Sequence, residues 1–288
     1  MTHMTRSKKL LIRFTALALL LVLLLAGCEI GNKRQPIPDT PSPKKNTSTE
    51  NKVDESKPSS NKNNSSDKNS RSGKKRVALT FDDGPHNTYT KKVVDELAKY
   101  DAHATFFVVG NRVDGTAYNG KSAIKYVLDN GHEVGIHAYT HEKYYNKCSD
   151  SEYASELSKT LSAIQGVSPK YNVSLMRPVG GHITDARVSS CKYSVIMWSV
   201  DSEDWKYKYK DSDTTAQRKE KVDTIVNNVM SQVKDGSIIL LHDIYGSTYD
   251  ATAIILERLY DEGYEVVTVS ELMGSNMTNG KKYYSLTK

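Results

Sequence analysis

From residue 76 onward, short continuous apolar runs alternate with longer stretches in which apolar residues recur every three to four positions. The runs 76–81, 104–109, 133–137, 174–177, 194–200, 237–241 and 265–269 are bounded by turn residues, as strands buried on both faces are. Between them, 90–100, 122–130, 149–165, 184–190, 217–234 and 251–262 carry helical periodicity. Ser149 with Glu152 three residues on reads as a capping box. Gly131, Gly166, Gly236 and Gly263 stand where helices need a C-terminal stop. Strand followed by helix, repeated, predicts parallel pairing. About seven such units predict an α/β fold, a deformed (β/α) barrel forming a single domain over 74–288. An open doubly wound sheet is the alternative.

The first seventy-odd residues follow a different rule. Lys8, Lys9 and Arg13 flank an uncharged, Leu-rich run from 14 to 27 that is short for a membrane span. It ends Leu25-Ala26-Gly27-Cys28, similar to the lipobox of bacterial lipoproteins, so 1–27 is expected to be a signal peptide and Cys28 the lipidated residue. An ordinary signal peptide with an incidental cysteine is the plainer reading. Residues 28–73 are Lys, Asn, Ser and Pro with hardly a large apolar side chain, a tether whose ordering no burial would offset. At flexible-coil scaling it reaches roughly 35 Å.

Charge divides at the same place. The chain carries +6 overall, but beyond Arg76 only 24 Lys and Arg face 28 Asp and Glu. A mildly acidic folded part lacks the basic face of a nucleic-acid binder, so no nucleic-acid partner is expected. Cys148 and Cys191 could bridge in an oxidising compartment. Their positions at opposite ends of successive helices favour two separate thiols.

Candidate chemistry gathers where the apolar runs end. The motifs are Thr80-Phe81-Asp82-Asp83-Gly84-Pro85, His137-Ala138-Tyr139-Thr140-His141, Arg177-Pro178-Val179-Gly180-Gly181, Asp201-Ser202-Glu203-Asp204-Trp205 and Leu240-Leu241-His242-Asp243. In a barrel these strand ends share one face, where active sites form. His137 and His141, four apart, would share a face on a turn of helix. With a carboxylate such as Asp83 they make a two-His, one-carboxylate set that leaves coordination positions open. Neighbouring Asp82 and Asp83 repel when both ionise, unless a metal neutralises one and an arginine the other. Arg177 can hold a carboxylate in two bonds, and Gly180 lets a backbone N–H approach a substrate oxygen. His242 follows a very apolar run and is expected to be half-buried with a shifted pKa, tuned by Asp204. Trp205 offers a flat apolar wall of the kind sugars stack on.

The ordered set T-F-D-D-G-P, H-x-x-x-H, R-P-x-G-G, D-x-x-D-W and L-x-H resembles the polysaccharide deacetylase family, the NodB-homology or carbohydrate esterase family 4 domain, over 76–273. The resemblance implies a deformed (β/α) barrel that removes acetyl groups from N-acetylated sugar polymers with one divalent metal ion, zinc first, with cobalt, manganese or nickel possible. It assigns Asp82 as base, Asp83, His137 and His141 as metal ligands, and Arg177 as the group holding the base. Asp204 would tune His242, the acid, while Trp205, Leu240 and Gly180 would contact substrate. Val179 stands where the family often has a second proline, which puts the Gly180 loop in question.

Anchor and tether together point to the outer face of the cell membrane and to peptidoglycan N-acetylglucosamine as substrate, and a monomer is expected. Chitin oligomers or acetyl xylan are the alternative substrates. A non-haem iron oxygenase uses a similar ligand set, and a carbohydrate-binding lipoprotein without activity is the third class.

Overall fold

The computed structural model describes residues 73–286. The expected signal peptide, Cys28 and all of the tether but Gly73 lie outside the described residues. Among the described residues nine strands form one sheet: β1 (Lys75–Asp82), β2 (Thr105–Val109), β3 (Glu133–Ala138), β4 (Leu175–Met176), β5 (Ser194–Ile196), β6 (Val200–Asp201), β7 (Ile238–His242), β8 (Tyr264–Val266) and β9 (Lys282–Tyr283). Their order is β6-β7-β1-β2-β3-β4-β5-β9, with β8 beside the start of β1, and every ladder is parallel. The helices between them are α1 (Tyr89–Ala98), α2 (Gly110–Asp114), α3 (Gly120–Asp129), α4 (Asp150–Gln165), α5 (Asp185–Ser189), α6 (Thr215–Met230) and α7 (Gly246–Asp261), followed by α8 (Val269–Met273).

The expected deformed barrel is the fold, and the deformation has a location. The run 194–200 reads as one strand, but its first half, β5, pairs with β4 and its second half, β6, with β7. The sheet therefore closes through a single stretch of chain that changes neighbours at 197–199. Two carbonyls at the break, of Ile196 and Met197, accept from the Arg177 guanidinium at 3.0 and 2.9 Å. The C-terminal segment also spans this break, β9 pairing with β5 while Leu286 N donates to Gly236 O, just before β7, at 2.8 Å. Neither β9 nor the short helices α2 and α8 is legible as an apolar run.

Alternation along the strands sorts the core into two layers. Val77, Leu79 and Phe81 of β1, with Ile239 and Leu241 of β7, face the helices in the larger cluster. Ala78 and Ile238 face inward with Phe107, Leu175 and Ile196. The inward set continues up β1 and β7 through Thr80 and Leu240 to Asp82 and His242, which are register partners at the strand ends. One apolar period thus carries a polar pair to the mouth of the barrel. Gly135 makes the interior fit, because a Cβ there would lie 2.7 Å from the Phe107 ring and 3.1 Å from Leu175 O. α4 begins as expected: Ser149 Oγ accepts from Glu152 N while the Glu152 carboxylate accepts from Ser149 N.

Candidate active site

Asp82 and Asp83 approach His137 at different ring nitrogens, Asp82 Oδ2 3.9 Å from Nδ1 and Asp83 Oδ1 3.3 Å from Nε2, and Asp83 takes a left-handed backbone, φ 71°. Asp82 stays inside the barrel at 3% exposure, where its Oδ1 accepts from Arg177 Nη1 at 2.9 Å. The same nitrogen donates to Thr80 Oγ1 at 2.7 Å, Thr80 in turn donating to Ile239 O. Arg177 is fully buried, and its guanidinium lies over the Phe107 ring at 4.3 Å and the Trp198 ring at 5.6 Å. Burial lowers its pKa, and the Asp82 carboxylate offsets only part of that. Four of its N–H bonds are thereby satisfied, one of them on Asp82 and two on the barrel break.

Asp83 turns toward the two histidines. Its Oδ1 lies 3.3 Å from His137 Nε2 and 3.0 Å from His141 Nε2, and the three ligating atoms fall within 4.8 Å of one another. His137 Nδ1 donates to Arg177 O at 2.9 Å, so in the neutral ring Nε2 carries the lone pair. Asp83 Oδ1 is buried yet makes no well-formed hydrogen bond. Burial alone would raise the Asp83 pKa, but the two imidazoles outweigh it and hold the carboxyl far below its ordinary range. Burial opposes a charge on His137, and Asp82 and Asp83 override it. An orphaned carboxylate oxygen, two convergent ring nitrogens and a field that favours positive charge fit a divalent cation.

The two histidines do not share a helical face. His137 ends an inward-facing stretch of β3, and the chain reaches His141 through a bend in which His141 has φ 63°. The Glu156 carboxylate of α4 holds that bend, accepting from Tyr139 N at 2.7 Å, Thr140 N at 2.9 Å and Thr140 Oγ1 at 3.0 Å. No local pattern marks Glu156, which sits among the polar residues of an amphipathic helix.

On the other side of the mouth, Asp204 is fully buried and saturated. Its Oδ1 accepts from His242 Nδ1 at 2.7 Å, and its Oδ2 from His242 N and Thr248 Oγ1, each at 2.7 Å. Burial disfavours the imidazolium, but Asp204, with Asp83 and Asp82 behind it, pushes the His242 pKa up to about 9. With Nδ1 committed to Asp204, Nε2 is the nitrogen that can hand a proton outward. Leu240, 5% exposed, lies one inward layer below His242. Trp205 stands 48% exposed beside the mouth, with Lys206 over its ring.

Gly180, φ 57°, sits in the turn after Arg177, where a Cβ would meet His182 at 3.1 Å and Tyr144 at 3.3 Å. Tyr144 and His182 themselves pack at 4.6 Å, with Tyr144 44% exposed. Their 38-residue separation hides this pairing from any local reading. Cys148 and Cys191 are free thiols, Cys148 Sγ facing Arg187 Nη1 at 3.4 Å.

Such an arrangement can polarise a carbonyl, deprotonate a water and protonate a leaving group. Comparison with known proteins agrees. Residues 69–195 match the family described as Polysaccharide deacetylase. The peptidoglycan-N-acetylmuramic acid deacetylase PdaC of Bacillus subtilis is 40% identical over 69% of this chain and 38% of its own length. Its solved structure superposes with a TM-score of 0.61 at 39% identity, covering 69% of this chain and 90% of that one. A family 4 acetyl xylan esterase from Clostridium thermocellum, solved in complex with a cobalt ion, gives 0.64 at 29% identity over 74% of this chain and all of its own, 100%. This chain thus spans about two fifths of the full PdaC sequence. A peptidoglycan-N-acetylglucosamine deacetylase of Bacillus cereus, however, is 37% identical over 70% of this chain and 90% of its own length. A match that nearly exhausts a relative, on a barrel of the same architecture, makes this chain a member of the polysaccharide deacetylase family.

Proposed function

We propose that the protein hydrolyses N-acetyl groups from N-acetylglucosamine residues of a cell-envelope polysaccharide, with peptidoglycan as the first substrate. The observation that carries this is the separation of two protonic groups about one cation site: Asp82 bonded to Arg177, and His242 bonded to Asp204. Asp83, His137 and His141 would hold a divalent cation, zinc first, with cobalt, manganese and nickel as alternatives. Such an ion supplies Lewis acidity, drawing charge from the acetyl carbonyl and acidifying a nearby water.

The side chains do the rest. Asp82, held in place by its bond from Arg177, takes the proton from the attacking water. The Gly180 backbone N–H donates to the developing oxyanion. His242, protonated at Nε2, gives its proton to the departing amine while Asp204 carries the charge left on Nδ1. Leu240 lines the space for the acetyl methyl, and Trp205 stacks on the sugar face.

Relatives named for N-acetylmuramic acid and for N-acetylglucosamine support a peptidoglycan substrate without choosing between its sugars. Purified peptidoglycan treated with the protein, cut by a muramidase and weighed by mass spectrometry decides. Loss of acetyl mass from the N-acetylglucosamine unit is expected. Loss confined to N-acetylmuramic acid, or seen solely with chitin oligomers or acetyl xylan, would reject the substrate assignment. We also propose export and lipidation at Cys28, placing the domain on the outer membrane face. Palmitate labelling that survives Cys28→Ala would count against it.

A further inference from the structure

Asp243 follows the proposed acid His242 and has no part in the chemistry above. It is 1% exposed. Its Oδ2 accepts from Thr90 Oγ1, and its Oδ1 is buried without a hydrogen-bond partner. Burial pushes polar groups toward partners, so a carboxylate kept this way needs a reason.

Its neighbour supplies one. The carboxylate fills the place where residue 84 would carry a side chain, since a Cβ on Gly84 would lie 2.4 Å from Asp243 Oδ1, 2.7 Å from Oδ2 and 2.9 Å from Cγ. Gly84 immediately follows Asp83, the carboxylate at the centre of the cation site. On the far side of the same turn, Thr90 Oγ1 accepts from His86 N at 2.8 Å while donating to Asp243. Gly84 O accepts from Val109 N at 2.8 Å, tying the turn to the end of β2. The turn is thus gripped at residues 84 and 86 by one linked pair from β7's end and α1. Asp83 itself has φ 71°, a conformation that is strained for a non-glycine residue and persists where the surroundings over-determine it.

We propose that Asp243, with Thr90 as its relay, is a positioning residue for the metal ligand Asp83: it locks the turn over residues 83–86 and so raises metal affinity without touching the metal. The inference rests on Asp83 ligating the cation. Partners of metal ligands commonly change affinity by about 10- to 100-fold. A purely architectural Asp243 would change the melting temperature and leave the affinity of the folded protein alone.

The test is zinc affinity, read by competition with a chromogenic chelator on the exported protein, alongside thermal unfolding. Thr90→Val keeps the shape and removes the relay; Asp243→Ala removes the contact at residue 84 and the acceptor for Thr90; Asp243→Asn keeps an acceptor for Thr90. Thr90→Val and Asp243→Ala are expected to bind zinc roughly 10- to 100-fold more weakly, with acetate release restored by excess zinc. Asp243→Asn should recover most of the affinity. Folded Thr90→Val binding zinc within about twofold of wild type would overturn the proposal, even if Asp243→Ala fails to fold. His141→Ala in the same titration separates the two readings. If it binds as wild type does, the ligand assignment fails and this inference with it; if it loses zinc while Thr90→Val does not, only the inference fails.

Discussion

The two sides of the barrel mouth solve opposite problems. On the Asp204 side both oxygens of that carboxylate are bonded, the aspartate is fully buried, and the His242 ring is fixed by a 2.7 Å bond. On the Asp83 side a buried carboxylate oxygen has no well-formed bond, two of three ligand residues have positive φ, and His141 is 40% exposed. Satisfied groups are finished before substrate arrives; unsatisfied ones wait for a positive charge. Asp82 lies between them and belongs to the finished side, since Arg177 neutralises it from within the core. On the proposed function, the difference separates the groups that would move protons from those that would hold an ion.

That contrast breaks most sharply under substitution. Asp82→Asn and His242→Ala should each lower kcat by about 10²- to 10⁴-fold, and added metal should not help. His141→Ala should lose comparable activity at limiting zinc and regain part of it as zinc is raised. If Asp82→Asn recovered with metal, or kept wild-type kcat, the division between the two sides would be wrong.

A stability measurement probes the finished side alone. Arg177→Met removes the partner of buried Asp82 and the donors for Ile196 and Met197 carbonyls at the barrel break. Leaving a buried charge unpaired typically costs about 3–5 kcal/mol, so denaturant unfolding should show a loss of that order. A loss below about 1 kcal/mol would show that the break does not depend on Arg177.

The pH profile comes next. His242 is raised from 6.5 to about 9, so its charged form stabilises the fold fully below the unfolded value and that contribution disappears as pH rises through the folded one. Activity, which needs the proton on His242, should fall on the alkaline side at or below about 9, because the bound cation opposes the imidazolium. Asp204→Asn should move that limb to lower pH; an unmoved limb would assign it to another group. The smallest effect belongs to the rim. Trp205→Ala should raise KM by about fivefold, the equivalent of roughly 1 kcal/mol of stacking, with kcat little changed.

Much of this was legible in sequence because strands announce themselves as apolar runs and chemistry sits where such runs end. Asp82 and His242 show why: each terminates an alternation whose inward members can be counted from Ala78 and Ile238. The pairing of Asp82 with Arg177 came from the family resemblance, the repulsion of adjacent carboxylates requiring only that some cation compensate them. What escaped was set by long-range contact. Glu156 supports the His141 bend from a helix, Thr248 completes Asp204 from α7, and Asp243 meets Gly84 across 159 positions, none with a local signature. The 194–200 run divided for the same reason, since each half finds a different neighbour. Helical spacing was a false guide at His137 and His141, where a left-handed bend brings their rings to 5.2 Å.

The central claim is that one cation and two separated protonic groups release acetate together. Acetate release from an N-acetylglucosamine oligomer, followed before EDTA, after EDTA and after zinc or cobalt add-back, tests it most directly. Activity that disappears on chelation, returns with metal and stays absent in His242→Ala whatever the metal is the expected result. Acetate release that survives complete chelation, or a metal-loaded wild-type protein that binds the oligomer and releases none, would contradict it.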